Sequence, residues 1–217
     1  MNRKITNLRY RQFLDDGIIE PITRDELKKA LGNVKGEHRR QGRSLLICLY
    51  YTGARPNEVL QLCSKDIKKE GNVVKISLKG SKRGLPRELT FSYARDDLVQ
   101  ELWHFSIGLF GEILLFHHFR NKYARTVKYK SGKVIVRFEI SGKVRYYLQR
   151  WFKGVVKGNV TPYFFRHSII SQLALAGHSD TDLRLFKGSK TSESISHYVH
   201  LTSDRSKKLG KTVQKIK

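Results

Sequence analysis

The chain has 217 residues, 39% of them hydrophobic, which is enough for one sizeable core or one domain with a short appendage. Lysine and arginine number 43 against 19 acidic residues, and the formal net charge of +24 exceeds what solubility asks for and points to a polyanionic partner. A membrane span, a lipid anchor and a secretory leader are all excluded as expectations: no apolar run approaches about 18 residues, no lipidation motif is present, and "MNRKITNLRYRQF" has no apolar stretch after its basic start.

Cys48 and Cys63 are too few for a disulfide scaffold and too far apart for a CxxC motif, so they read as core thiols of an intracellular, cytoplasmic protein. Lysine richness with so little Met and Cys is a thermophile-like composition.

Residues 1–21 are basic and aperiodic, an N-terminal segment or linker. The domain opens near Ile22, where "PITRDELKKAL" predicts a helix capped by Thr23 with Glu26 three positions on. "SLLICLYY" predicts a buried helix over 43–52 that stops at Gly53, and Pro56 fits the first position of a new helix over 56–63. That places Arg55 at the positive end of a helix with Glu58 in its first turn, either holding an anion or pairing with a nearby carboxylate.

"GNVVKISLKGSKRGLPRELTFS" alternates on both sides of a Gly- and Lys-rich tip and predicts a β-hairpin whose tip, with Lys79, Lys82 and Arg83, is basic and suits a polyanionic partner. A helix over about 94–106, a second strand pair in "RTVKYKSGKVIVRFEIS" and a helix over 143–153 follow. The last third predicts helices over about 165–176, ending at Gly177, and 181–187, ending at Gly188, then one running through Tyr198. The tail 202–217 is polar and basic.

Four stretches in order, "TGARPNEVL", "LKGSKRGLP", "YFFRH" and "SHYVHL", together make the chain resemble the catalytic domain of the tyrosine recombinase (integrase) family over residues 22–201. The resemblance implies an α+β fold, mainly helical with small antiparallel hairpins or sheets. It implies Arg55 and Arg166 as cations on the transition-state phosphate, Lys79 as proton donor to the leaving 5′-oxygen and Tyr198 as the nucleophile that forms a 3′-phosphotyrosyl intermediate. It further implies a metal- and ATP-independent DNA strand transferase with no cofactor, working on double-stranded DNA as a homo-oligomer, a tetramer, to integrate or excise a mobile element.

Two positions depart from the family pattern. Tyr163 stands where the family has the histidine of H-x-x-R, a loss associated with integrases of archaeal viruses and plasmids, and Ser189 stands at a second position where the family has His or Trp. A phenol with a pKa near 10 is a poor base at neutral pH, so Tyr163 reads as a hydrogen-bonding residue for phosphate. Lys187, Lys190 and His197 are equal candidates for the role lost at Ser189, and Lys82 is the rival to Lys79. The pairs His117/His118 and His197/His200 lack a third ligand at suitable spacing, so no metal site is expected. Two other readings stay open: a type IB topoisomerase-like relaxing enzyme, and a basic DNA-binding protein whose active site has decayed.

Overall fold

The structure, a computed structural model, describes residues 22–80, 84–109, 111–120, 123–128, 134–139, 142–156 and 160–190. Lys82, Arg83, His197, Tyr198, the segment 1–21 and the tail 202–217 lie outside the described residues.

Helix α1 (Arg24–Gly32) starts in the predicted capping box: the Thr23 hydroxyl accepts the Glu26 N–H at 3.1 Å and the Glu26 carboxylate accepts the Thr23 N–H at 2.9 Å. Helix α2 (Arg39–Thr52) begins four residues before the expected bound and is the element on which the others assemble. Leu45, Leu46, Ile47, Cys48 and Leu49 are all fully buried, so α2 has no polar face over this stretch. Each such aliphatic side chain contributes about 1.5–3 kcal/mol by leaving water. Burial also pushes the Cys48 thiol up to about 12, and both cysteines are free and buried as expected.

The helix expected over 56–63 is a single turn, α3 (Pro56–Val59). Leu60 and Leu62 are buried, but in a turn rather than on a helical face, and the Asp66 carboxylate takes the Cys63 N–H at 2.9 Å to start a 3-10 turn over Ser64–Asp66. A one-turn helix aligns few peptide dipoles, so what positions Arg55 must be sought in side chains.

Strands β1 (Ile67–Glu70), β2 (Val73–Leu78) and β3 (Arg87–Ser92) form an antiparallel sheet in that order. The predicted hairpin is β2–β3. Strand β1, "IKKE", was not predicted, because a short edge strand with one buried residue shows no alternation to read. Val74, Ile76 and Leu78 on β2 face inward opposite Phe91, Leu89 and Arg87 on β3, so an arginine continues an apolar stripe.

Helix α4 (Asp97–Ile107) follows, with Asp96 as its N-cap. Asp96 also takes a two-pronged contact from Arg24, at 3.0 and 2.9 Å, which locks α1 to α4. The second strand pair is β4 (Tyr123–Lys128) with β5 (Val134–Glu139), antiparallel, and α5 (Gly142–Trp151) comes next. Helix α6 (Pro162–Leu175) starts three residues before the expected bound, because Thr161 caps it and Pro162 occupies its first position. Helix α7 (Asp180–Lys187) ends at Gly188 as predicted, in the left-handed conformation.

Helices α1, α3, α4 and α6 all pack on α2, and α7 packs on α6 and β3. The architecture is the expected one, mostly helical with small antiparallel sheets. No described helix is long and apolar enough to cross a membrane.

Candidate active site

The corner after α2 is where the chain's distant parts meet. Gly53 has φ 52°, and a Cβ there would stand 2.5 Å from Ile169 Cγ2 and 3.4 Å from Arg166 Cα. Only glycine lets α2 end against α6 this closely. The contact serves Arg166: its Nη1 donates to the Gly53 carbonyl at 3.0 Å and its Nη2 to the Lys187 carbonyl at 2.5 Å. One guanidinium, on a residue only 5% exposed, thus joins the ends of α2 and α7 to α6 and is itself oriented by both.

Arg55, two residues after Gly53, is held by Glu58. The Glu58 carboxylate accepts the Arg55 N–H at 3.0 Å and Arg55 Nη1 at 2.8 Å. It also accepts Arg87 Nη2 at 3.1 Å, and its side chain is fully buried. Burial alone would raise the Glu58 carboxyl, but the Arg87 charge and the Arg55 hydrogen bonds outweigh it and hold the group below the ordinary carboxylate range. Of the two sequence readings of Arg55, this geometry shows the pairing with a nearby carboxylate, and Glu58 orients the guanidinium.

Arg87 escaped the sequence analysis. Its side chain is 6% exposed, and its Nε and Nη1 are buried without a hydrogen-bond partner among the described residues. Burial lowers its pKa, and Glu58 only partly restores it. The readable signal was its parity, because Arg87 shares the inward face of β3 with Leu89 and Phe91, where a charge calls for a buried partner.

Gly84 and Leu85, which lead into β3, lie against this corner. A Cβ on Gly84 would lie 3.0 Å from Arg55 Nη1, 3.2 Å from Glu58 Oε1 and 3.2 Å from the Gly188 carbonyl, so no side chain fits there without displacing the brace. Gly84 forms a bridge with Ser189, and the Leu85 N–H donates to the Gly188 carbonyl at 2.9 Å. Gly84 and Leu85 are thereby stitched to the end of α7 next to Arg55.

Lys79 leaves β2 on the opposite strand of the hairpin. Its Nζ lies 3.5 Å from Asp66 and its side chain is 54% exposed. Tyr163 is one turn before Arg166 on α6 and is 56% exposed. Arg55 and Arg166 are thus brought together, while Lys79 and Tyr163 stand at the rim.

Of the three candidates for the role lost at Ser189, Lys187 is buried at 9% exposure and Lys190 is exposed. His117 approaches Gln41, whereas the His118 ring stacks on His38 with centroids 3.4 Å apart. Among the described residues, no group of three or more His, Cys, Asp or Glu side chains is placed to hold a metal.

The fold recurs in solved structures. XerH site-specific recombinase bound to its difH substrate superimposes with TM-score 0.55 at 19% identity, over 85% of this chain and 51% of that one. XerA recombinase gives 0.55 at 16% identity, over 88% and 61%. The Tn1549 transposon integrase in complex with transposon right end DNA gives 0.55 at 17%, over 89% and 66%. The chain spans half to two thirds of these proteins' length. No curated protein matches significantly. The profile of the Phage integrase family matches residues 20–205, nearly the whole chain, around the glycine corner and paired arginines described above; the protein belongs to the phage integrase family.

Proposed function

We propose that this protein is a site-specific DNA recombinase that cuts and rejoins strands through a 3′-phosphotyrosyl intermediate. The observation that carries this is the convergence of Arg55 and Arg166, far apart in sequence, on the two sides of the Gly53 corner. Two oriented guanidiniums in a strongly basic chain suit the extra negative charge on the equatorial oxygens of a phosphoryl transition state.

In this reading the Tyr198 hydroxyl gives its proton to water as its oxygen attacks the scissile phosphorus. The bond from phosphorus to the 5′-oxygen breaks, the phosphate stays on the 3′-oxygen, and Lys79 gives a proton to the departing 5′-oxygen. Rejoining runs the same steps backward with a 5′-hydroxyl from another strand. Lys82 and Arg83 contact the DNA backbone, and Tyr163 hydrogen-bonds a phosphate oxygen. The catalytic domain is residues 22–201, in keeping with the family match over 20–205.

The working form is a homo-oligomer, a tetramer, on double-stranded attachment-site DNA inside the cell, with the tail 202–217 docking on a neighbouring subunit. The element it moves is of the archaeal virus or plasmid type, from a thermophilic host; Tyr163 in place of histidine and the lysine-rich composition support this.

A nicked suicide duplex tests the proposal. With EDTA present, the protein forms a denaturant-resistant adduct through the DNA 3′-phosphate and leaves a free 5′-hydroxyl. Tyr198→Phe abolishes the adduct and leaves DNA affinity nearly unchanged, because that affinity is dominated by many phosphate contacts. An adduct that persists in Tyr198→Phe, or that requires Mg²⁺, refutes the reading.

A further inference from the structure

Arg87 stands opposite Leu78 on the face of β3 that also carries Leu89 and Phe91, where a third apolar residue would complete the stripe. Its side chain is 6% exposed and runs beneath the glycine that ends α7: a Cβ on Gly188 would stand 2.7 Å from Arg87 Nη1 and 3.2 Å from its Cδ. This is a costly place for a cation. Burial lowers the arginine's pKa, and its Nε and Nη1 have no hydrogen-bond partner among the described residues. Replacing a buried ion pair by apolar side chains of similar volume is often neutral or stabilising, so packing alone does not call for this charge.

What Arg87 holds is Glu58. Glu58 Oε1 accepts Arg55 Nη1 at 2.8 Å, and Oε2 accepts both the Arg55 N–H at 3.0 Å and Arg87 Nη2 at 3.1 Å. A carboxylate paired with Arg55 alone would orient the guanidinium and at the same time offset the positive charge that an anion has to meet. With Arg87 on the same carboxylate, one negative charge lies between two guanidiniums, and the group of three keeps one positive charge. Burial raises the Glu58 carboxyl, and of the influences that lower it the Arg87 charge is the largest, ahead of the hydrogen bonds from Arg55.

We infer that Arg87 is a positioning residue for the reaction: its buried charge balances Glu58, so that the carboxylate orients Arg55 without cancelling the positive charge that Arg55 turns toward the scissile phosphate. The inference rests on the recombinase reading above. Arg87 touches neither DNA nor the reacting atoms, and no bond to it forms or breaks; it acts through Glu58 on the charge that Arg55 offers to the phosphoryl oxygens.

The test is single-turnover adduct formation by the full chain on the nicked suicide duplex, at saturating protein and below each variant's melting onset. Arg87→Met removes the balancing charge and keeps most of the volume, and is expected to lose about a hundredfold in rate, the scale for one preorganised donor. Its DNA affinity stays within about threefold, because a buried charge adds little to binding dominated by phosphate contacts. Arg87→Lys keeps the charge, and the double variant Arg87→Met/Glu58→Gln removes both charges at once. Each leaves the group with the one positive charge it has in wild type, so each should recover to within about tenfold of the wild-type rate, the scale for one hydrogen bond.

For a residue that only packs under Gly188, Glu58→Gln has no reason to restore the rate, so a double variant as slow as Arg87→Met overturns the inference. An Arg87→Met rate within about tenfold of wild type overturns it as well, and so does an Arg87→Lys rate no better than that of Arg87→Met. If Arg87→Met does not fold, the two charge-preserving variants still decide: both within about tenfold of wild type uphold the inference, and a greater loss in either overturns it. Absence of any adduct with wild type refutes the recombinase reading itself, whereas an Arg87→Met protein as fast as wild type removes only this inference.

Discussion

The paired arginines and the rim residues Lys79 and Tyr163 belong to one proposed reaction but are built in opposite ways. Arg166 is buried and bonded to two carbonyls, and Arg55 is braced by a buried carboxylate. Lys79 and Tyr163 are more than half exposed, and the partner described for Lys79 is the Asp66 carboxylate at 3.5 Å. The arginines are oriented before DNA arrives, so their ordering cost falls on folding. The rim groups are more than half exposed and cost the fold little, and in the proposed reaction their ordering waits for DNA.

The comparison breaks first at Arg166. Arg166→Ala strands the Gly53 and Lys187 carbonyls and, in the proposed reaction, removes a transition-state donor, so adduct formation should fall by about a hundred- to a thousandfold and the melting temperature should drop as well. A thousandfold loss with an unchanged melting temperature would mean that those two hydrogen bonds do not hold the corner together.

Lys79→Ala should match much of that kinetic loss, about a hundredfold for a missing general acid, with no change in melting temperature. A substrate whose 5′ leaving atom is sulfur should restore the rate, because that atom departs without a proton. If sulfur fails to rescue while the rate loss stands, the general acid is Lys82.

Arg87→Ala sharpens the comparison inside the buried half, since it removes a charge partner of Glu58. Loss of one partner leaves Glu58 with less compensation, so unfolding free energy should fall by about 3–5 kcal/mol, and chemical denaturation checks this. The Glu58 carboxyl is depressed in the folded state, so its stabilising effect is fully present above its ordinary pKa of 4.5 and is lost as pH falls through the lower folded value. Wild type should therefore lose stability on acidification below about pH 4.5 more steeply than Arg87→Ala, in which the carboxyl is closer to ordinary.

The smallest effect should be that of Tyr163→Phe, about 1 kcal/mol or roughly fivefold in rate for one neutral hydrogen bond at an exposed position. If Tyr163→Phe is as inactive as Arg166→Ala, the phenol is an acid-base group and the division between clamp and rim is wrong.

The order and spacing of "TGARPNEVL", "LKGSKRGLP" and "YFFRH" carried the family in the linear chain, and the run "SLLICLYY" announced the central buried helix. These are local or periodic signals, and periodicity survives without knowledge of the fold. The helix bounds were less legible. The helix expected over 56–63 ends after one turn at Val59, because the buried Leu60 and Leu62 are satisfied by a turn as well as by a helix.

What the sequence by itself determined was which residues carry charge, which faces are apolar and which short stretches cap or turn the chain. Only the tertiary structure decided that Arg87 braces Glu58 across the sheet, that Arg166 ties Gly53 to the end of α7, and that Lys187 rather than Lys190 is buried at the corner. Those facts depend on contacts between distant residues, set by packing on α2 and by the cost of leaving a buried charge without a partner, and neither leaves a periodic trace in the chain.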